Sequence, residues 1–244
     1  MKFSTATLSY TGGRKINQDA CGFLETPNGA TCWIMADGLG GHGGGEVASE
    51  LAKKEILRTF EQQPEVSLQA MQNGILNAQN AILSQQAASE PLKRMRTTLV
   101  VLAADSHKAQ WAHIGDSRLY FFRRGVLTEL TRDHSVPQAL VDAGTIQQSE
   151  IRYHEDRNRI LRSLGNLNDL RPTFRPEPIL LEAGDAFLMV TDGFWEFVHE
   201  LEMQADWAKS LTPQVWLDLM QERLLARASG EHDNYSAVAI FVEA

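Results

Sequence analysis

The sequence is short of the features that mark the exceptional protein classes. Two of its 244 residues are cysteine, Cys21 and Cys32, too few for a disulfide framework. No window of about 18 apolar residues occurs, so no membrane-spanning helix is expected. Low-complexity tracts, internal repeats and Pro/Gly/Ser linkers are absent, so one domain spanning 1–244 is the economical reading. Positive charge is scarce: 23 Lys+Arg stand against 31 Asp+Glu, a net charge of −8 and a pI near 5.4. That balance excludes a protein built to bind nucleic acid or an anionic membrane, both of which reward clustered cations. The amino terminus alternates polar and apolar residues and lacks the charged head and apolar run of a signal peptide. It reads as a first strand of a cytoplasmic protein. What remains, 43% hydrophobic and 22% charged, is enough apolar material for a sizeable core.

The cysteines are placed by a hairpin that Asn28-Gly29 suggests between two strand-like runs. If these are the two turn residues, Cys21 faces Ala36 and Cys32 faces Glu25. The sulfurs would then lie roughly 13 Å apart along the ladder, beyond the ~7 Å Cα separation that a disulfide permits. Two reduced thiols are expected.

Strand-like runs occur at Cys21–Glu25, Thr31–Ala36, Thr97–Ala104, Gln110–Ile114, Leu119–Arg123, Val126–Leu130, Ala186–Thr191 and Ala237–Val242. Arg124-Gly125 suits a tight turn between two of them. Most neighbours are joined by too few residues for a crossover helix, so antiparallel pairing is expected. Two amphipathic helical patterns intervene, one from Glu46 to Pro64 and one carrying Leu68, Met71, Ile75, Ala78 and Ile82. A third helix is expected over Pro213–Ala228, with Thr212 as its cap and Pro213 at the first position. Hairpin clusters separated by helices indicate an α+β layered fold. The polar segment Asp142–Gly165, with Arg152, His154, Arg157, Arg159 and Arg162, fits either a functional loop or a solvated excursion.

Chemistry enters with the aspartates at strand ends. Thr31–Ala36 runs into Asp37 and then six glycines in the next eight residues. Another apolar run ends in Asp192-Gly193, a third in Gly115-Asp116, and Asp233-Asn234 precedes the last strand. Taken singly, each Asp-Gly is more often a turn. Taken together, converging carboxylates would make a hard-oxygen site for Mg²⁺ or Mn²⁺, and their mutual repulsion would make a cation nearly compulsory. The glycine loop after Asp37 suits close backbone approach to an ion or a phosphate. Arg14, in the Gly-flanked turn before Asn17-Gln18-Asp19, carries a planar fork suited to a phosphate, although a lone arginine is commonly just surface charge.

Arg14-x-x-Asn17-Gln18-Asp19, Asp37-Gly38-x-Gly40-Gly41-His42, Gly115-Asp116-Ser117-Arg118, Thr191-Asp192-Gly193 and Asp233-Asn234 together resemble the ordered signature of the PP2C-type (PPM) metal-dependent protein serine/threonine phosphatases, in their bacterial form. The resemblance implies a four-layer α-β-β-α sandwich with metals at one end. It implies that Asp37 bridges two ions, that the Gly38 carbonyl ligates one, and that Asp192 and Asp233 ligate the other. Asp19 would orient water, Arg14 would bind phosphate, and Asp116 with Asp192 would hold a weaker third ion. The cofactor would be Mn²⁺ or Mg²⁺. Asp142–Gly165 would be the family's variable flap. Gln18 stands where many members have Glu, and Leu39 where animal members have His; His42 receives no role.

The expected reaction is in-line attack on phosphorus by a hydroxide shared between two cations, with Arg14 and the metals stabilising the equatorial oxygens. Neither cysteine sits in a phosphate-cradling loop, so a thiol nucleophile is not expected. The expected partners are phosphorylated proteins and a cognate Ser/Thr kinase, with the chain a monomer. Two other readings stay open: a hydrolase of a small phosphorylated metabolite, and a catalytically silent phosphoprotein-binding relative.

Overall fold

The computed structural model describes residues 1–40 and 44–244. In chain order it runs through β1 (Lys2–Tyr10), β2 (Asp19–Glu25), β3 (Thr31–Leu39), α1 (Gly45–Gln62), α2 (Leu68–Ala88), β4 (Arg96–Thr97), β5 (Leu99–Ala104), β6 (Lys108–Ile114), β7 (Arg118–Arg123) and β8 (Val126–Leu130). Then come α3 (Val136–Asp142), β9 (Thr173–Phe174), β10 (Ile179–Leu180), β11 (Ala186–Val190), α4 (Asp192–Trp195), α5 (Glu200–Trp207), α6 (Pro213–Arg227) and β12 (Tyr235–Glu243). One sheet is ordered β1-β12-β11-β7-β8, the other β10-β6-β5-β3-β2 with β4 on β3 and β9 on β6, and the pairings are antiparallel.

Residue alternation divides the apolar side chains among three cores and so defines the layers. Cys32, Ile34 and Ala36 of β3 pack with Ala48, Ala52 and Ile56 of α1 and Ile75, Ala78 and Ile82 of α2. Trp33 and Met35, on the other face of the same strand, meet Leu119, Phe121, Phe187, Met189, Val238 and Ile240 across the gap between the sheets. The far face of the first sheet packs under Trp195, Met203, Trp216, Leu217 and Met220. Helix, sheet, sheet, helix is therefore the order of layers, as the family resemblance implied. Strands buried on both faces read as continuous apolar runs, which is why β3, β5 and β11 were easily located. Among the described residues no helix is long and apolar enough to cross a membrane.

The first hairpin departs from expectation. Thr26, not Pro27, faces Ala30 and closes the loop: its N–H donates to the Ala30 carbonyl at 2.9 Å. Gly29 takes φ +82°, and the Asn28 carboxamide oxygen accepts from the Thr26 hydroxyl and from the Ala30 N–H. A three-residue loop with a left-handed last residue wins over the two-residue turn. Cys21 consequently pairs with Met35 and Cys32 with Leu24. A one-residue slip moves side chains to the opposite face, so the two thiols, both free, lie on opposite sides of the sheet. The Arg124-Gly125 turn forms as expected, with φ +52° and +83°.

The expected strand Thr97–Ala104 is interrupted at Thr98, whose hydroxyl is drawn out of the ladder to accept from the Asp37 N–H at 2.9 Å. The segment Asp142–Gly165 is not a free excursion. Ile151 and Arg152 are buried, Leu161 N–H donates to the His134 carbonyl, and Leu164 exchanges backbone hydrogen bonds with Thr97.

Candidate active site

Chain topology brings the strand-end carboxylates to one end of the sandwich. Asp19 and Asp37 sit directly opposite each other on β2 and β3. Asp37 is fixed through its backbone: its N–H donates to the Thr98 hydroxyl, and its carbonyl accepts from the Thr97 hydroxyl at 2.8 Å and the Thr98 N–H at 2.9 Å. Gly38 lies so close to its neighbours that a Cβ there would stand 2.2 Å from the Gly45 carbonyl oxygen and 2.7 Å from that of Gln18. The glycine thus keeps the α1 start against the end of β3 and leaves the Gly38 peptide at the mouth of the cleft.

Asp192 is not in a turn. It opens α4, and Gly193 permits the close approach of the Asn234 carbonyl, which a Cβ would meet at 2.1 Å. Asn234 in turn ties three segments together. Its side-chain oxygen accepts from the Gln18 N–H, and its amide donates to the carbonyls of Thr11 and Ile16, at 2.8–3.0 Å. The turn bearing Arg14 is thereby fastened to Asp233, and Arg14 Nη2 donates to Asp233 Oδ2 at 2.9 Å.

The electrostatics are those of crowded, poorly solvated carboxylates. Burial pushes Asp37 well above the usual carboxylate range, and Asp192, Asp19, Asp116 and Asp233 push it further. Burial also raises Asp192 to about 7, helped by Glu196, Asp233 and Asp19. Asp19 rises to about 6, again through burial, against the opposing hydrogen bonds that its Oδ2 accepts from Ser236 and Thr191. Asp116 is 1% exposed and neither of its carboxylate oxygens has a partner. Asp19 Oδ1 is likewise buried and partnerless. Buried carboxylate oxygens without donors are strongly disfavoured unless a cation satisfies them.

These orphaned oxygens are the structural test of whether a divalent cation fits, and the donor set passes it. Carboxylates and a backbone carbonyl are hard oxygen ligands of the kind Mg²⁺ and Mn²⁺ take. Among the described residues no three His, Cys, Asp or Glu side chains close on one point tightly enough to hold an ion by themselves, so carbonyls and water would complete each shell. The cleft, about 510 Å³, is lined by Arg14, Lys15, Asp37, Gly38, Asp192 and Asp233, with Asp19 one layer behind. His42 lies outside the described residues. Gln18 spends its side-chain amide on Glu46 at 3.2 Å.

Several working residues escaped the sequence reading. Thr191 and Ser236 orient Asp19. Trp195 donates its indole N–H to the Asp116 carbonyl at 2.9 Å and is stacked by the Arg118 guanidinium 3.6 Å from its ring. Arg118 also forms a forked pair with Asp133, both side chains almost wholly buried. Two arginines of the segment Asp142–Gly165 are paired within the protein. Arg152 is buried and bonds Glu200 at 2.7 Å and 2.9 Å, and Arg157 pairs with Glu196 at 2.8 Å. Neither is free to meet a substrate.

A sandwich of two antiparallel sheets with crowded carboxylates and an arginine at one end presents a donor set suited to divalent cations and a phosphate group. The sequence matches the protein phosphatase 2C family over residues 11–229, and the chain belongs to that family. It is 32% identical over 194 residues to the protein phosphatase PhpP of Streptococcus pneumoniae, covering 78% of each chain. It is 36% identical over 173 residues to the serine/threonine protein phosphatase PstP of Mycobacterium tuberculosis, covering 70% of this chain and 33% of that longer protein. A crystal structure of the latter phosphatase superposes with a TM-score of 0.88 at 29% identity, covering 100% of both chains. Another, of the PstP catalytic domain in complex with two manganese ions, superposes at 0.83 with 28% identity and 99% of each chain covered.

Proposed function

We propose that this chain hydrolyses phosphoserine and phosphothreonine on proteins and so opposes a Ser/Thr kinase. The observation that carries the reading is the crowding of Asp19, Asp37, Asp116, Asp192 and Asp233 at one end of the sandwich, with partnerless oxygens on Asp19 and Asp116 and with Arg14 paired to Asp233. Asp37, the Gly38 carbonyl, Asp192 and Asp233 would hold two Mn²⁺ or Mg²⁺ ions, and Asp116 with Asp192 a third. Bound there, such cations lower the pKa of a water and offset charge on the phosphoryl group.

The chain's own residues do the rest. Arg14, half-exposed at the cleft rim, offers planar donors to two phosphate oxygens. Asp19, held by the Thr191 and Ser236 hydroxyls on one oxygen, keeps the other as an acceptor that can orient a water. Trp195 and Thr98 fix the backbones from which Asp116 and Asp37 project. No side-chain nucleophile is needed: burial holds Cys21 up at about 11 and Cys32 at about 12, so both are protonated thiols near neutral pH. Hydrolysis of a phosphothreonine peptide with Mn²⁺ and with chelator tests the reading. Asp37→Asn should lower kcat by at least a hundredfold with an unchanged circular dichroism spectrum. Turnover in Asp37→Asn equal to that of the unmodified chain would refute it.

A further inference from the structure

A second pocket, about 450 Å³, lies across the flap from the cleft of aspartates. The wall between them is a single stretch of chain. Asn158 and Ile160 line the cleft, while Leu161 and Arg162 line the second pocket. That wall is fastened: Leu161 N–H donates to the His134 carbonyl at 2.7 Å, and Val136 N–H to the Arg159 carbonyl at 2.9 Å.

The charge inside the pocket can be followed residue by residue. Arg132 pairs with Asp142, Arg175 with Glu129 at 3.2 Å, and Asp133 with Arg118 at 2.7 Å. Each acid in the wall is therefore matched. His113 and His134 lie stacked, 4.7 Å between ring centroids. Burial, with Arg162 among the lesser causes, lowers both pKa values, that of His134 to about 3, so neither ring is charged near neutral pH. Arg162 is left over. Among the described residues it makes no ion pair and no hydrogen bond, and its half-buried side chain lines the pocket.

We propose that this pocket is a second, non-catalytic anion subsite that receives an acidic side chain of the phosphoprotein substrate, with Arg162 as the residue that recognises it. The inference rests on the protein phosphatase reading above. One unmatched guanidinium among paired charges and neutral imidazoles selects a single carboxylate or phosphate group and repels a second cation. A wall one chain thick with its side chains spans about 10 Å, or about three residues of extended peptide at ~3.3 Å each. An acidic residue about three positions from the phosphothreonine would therefore reach it.

The test uses the Mn²⁺-loaded enzyme and phosphothreonine peptides carrying one Glu at offsets from one to six, beside an all-neutral peptide. Glu near offset three should raise kcat/KM by about threefold to tenfold through KM, as a partly desolvated ion pair does. Arg162→Ala should erase that preference, Arg162→Glu should invert it, Arg162→Lys should restore part of it, and all three should cleave p-nitrophenyl phosphate at the original rate. Equal kcat/KM for every peptide overturns the subsite while leaving the phosphatase reading intact. Cleavage of p-nitrophenyl phosphate with none of any phosphopeptide overturns both. If Arg162→Ala instead relieves inhibition by inorganic phosphate with no change in peptide preference, the pocket takes free phosphate and the substrate proposal fails.

Discussion

Stripped of divalent cations, the fold should lose stability relative to its Mn²⁺-loaded form as pH rises from 6.5 to 8.0. The cause is Asp192, whose pKa is about 7 in the fold against 3.8 for an unperturbed aspartate. A carboxyl raised by folding binds more protons folded than unfolded, so stability falls with pH across the interval between the two values. At pH 6.5 this group would be about three-quarters protonated in the fold, at pH 8.0 about one-tenth, and essentially unprotonated in the unfolded chain. Integrating gives a loss of about 0.8 kcal/mol from this residue, or about half that once screening at the cleft mouth is allowed for. Asp37 and Asp116, both pushed well above the usual carboxylate range, act in the same direction. His113 and His134, both lowered, act oppositely: an unfolded imidazole is still half-protonated at pH 6.5, so each adds up to about 0.4 kcal/mol of stability across the same interval, with metal or without it. Urea unfolding at the two pH values, in chelator and in Mn²⁺, measures the effect, which for a chain of this size corresponds to a Tm shift of about 1–3 °C from Asp192 alone. Bound cations favour the ionised ligands, so the decline should vanish in Mn²⁺. A gap between Mn²⁺-loaded and metal-free stability that does not widen over this interval would refute the crowded-carboxylate account.

Three further outcomes follow from the geometry. Gly193→Ala would drive a methyl into the Asn234 carbonyl and should cost about 1–3 kcal/mol, read as a lowered urea midpoint at unchanged slope. Arg118→Ala would strand the buried Asp133 and remove the stack on Trp195, a loss of about 3–5 kcal/mol measurable by thermal melting. Ser236→Ala deletes one of the two hydroxyl donors to Asp19 and should move the acidic limb of the kcat/KM–pH profile upward; an unmoved limb would show that Asp19 does not set it.

Much of this molecule was legible because its strands are buried on both faces and its aspartates terminate them. An apolar run such as Thr31–Ala36 leaves few other placements, and a Thr212-Pro213 start marks a helix whatever surrounds it. What stayed hidden depends on partners distant in sequence. Thr98 looks like any strand threonine until Asp37 lies beside it, and Trp195 like any core aromatic until the Asp116 carbonyl comes within reach. Arg152 gives no local sign of its burial for the same reason: its neutralising partner, Glu200, is 48 residues away. The hairpin register failed over a local competition in which the Asn28 side chain caps a longer loop. Spacing alone does not decide that contest.

Arg14 and Asp233, which meet at 2.9 Å, are 219 positions apart, and the β1–β12 ladder that aligns them pairs Lys2 with Glu243 and Tyr10 with Tyr235. During synthesis, at about 5–20 residues per second, β1 must therefore wait about ten seconds or more for β12. Helices α1 and α2 can settle on their sheet early, but the cleft is incomplete until β12 has been made and paired. The site is thus closed by a strand that none of its earlier parts can replace, and any truncation that removes β12 should dismantle it.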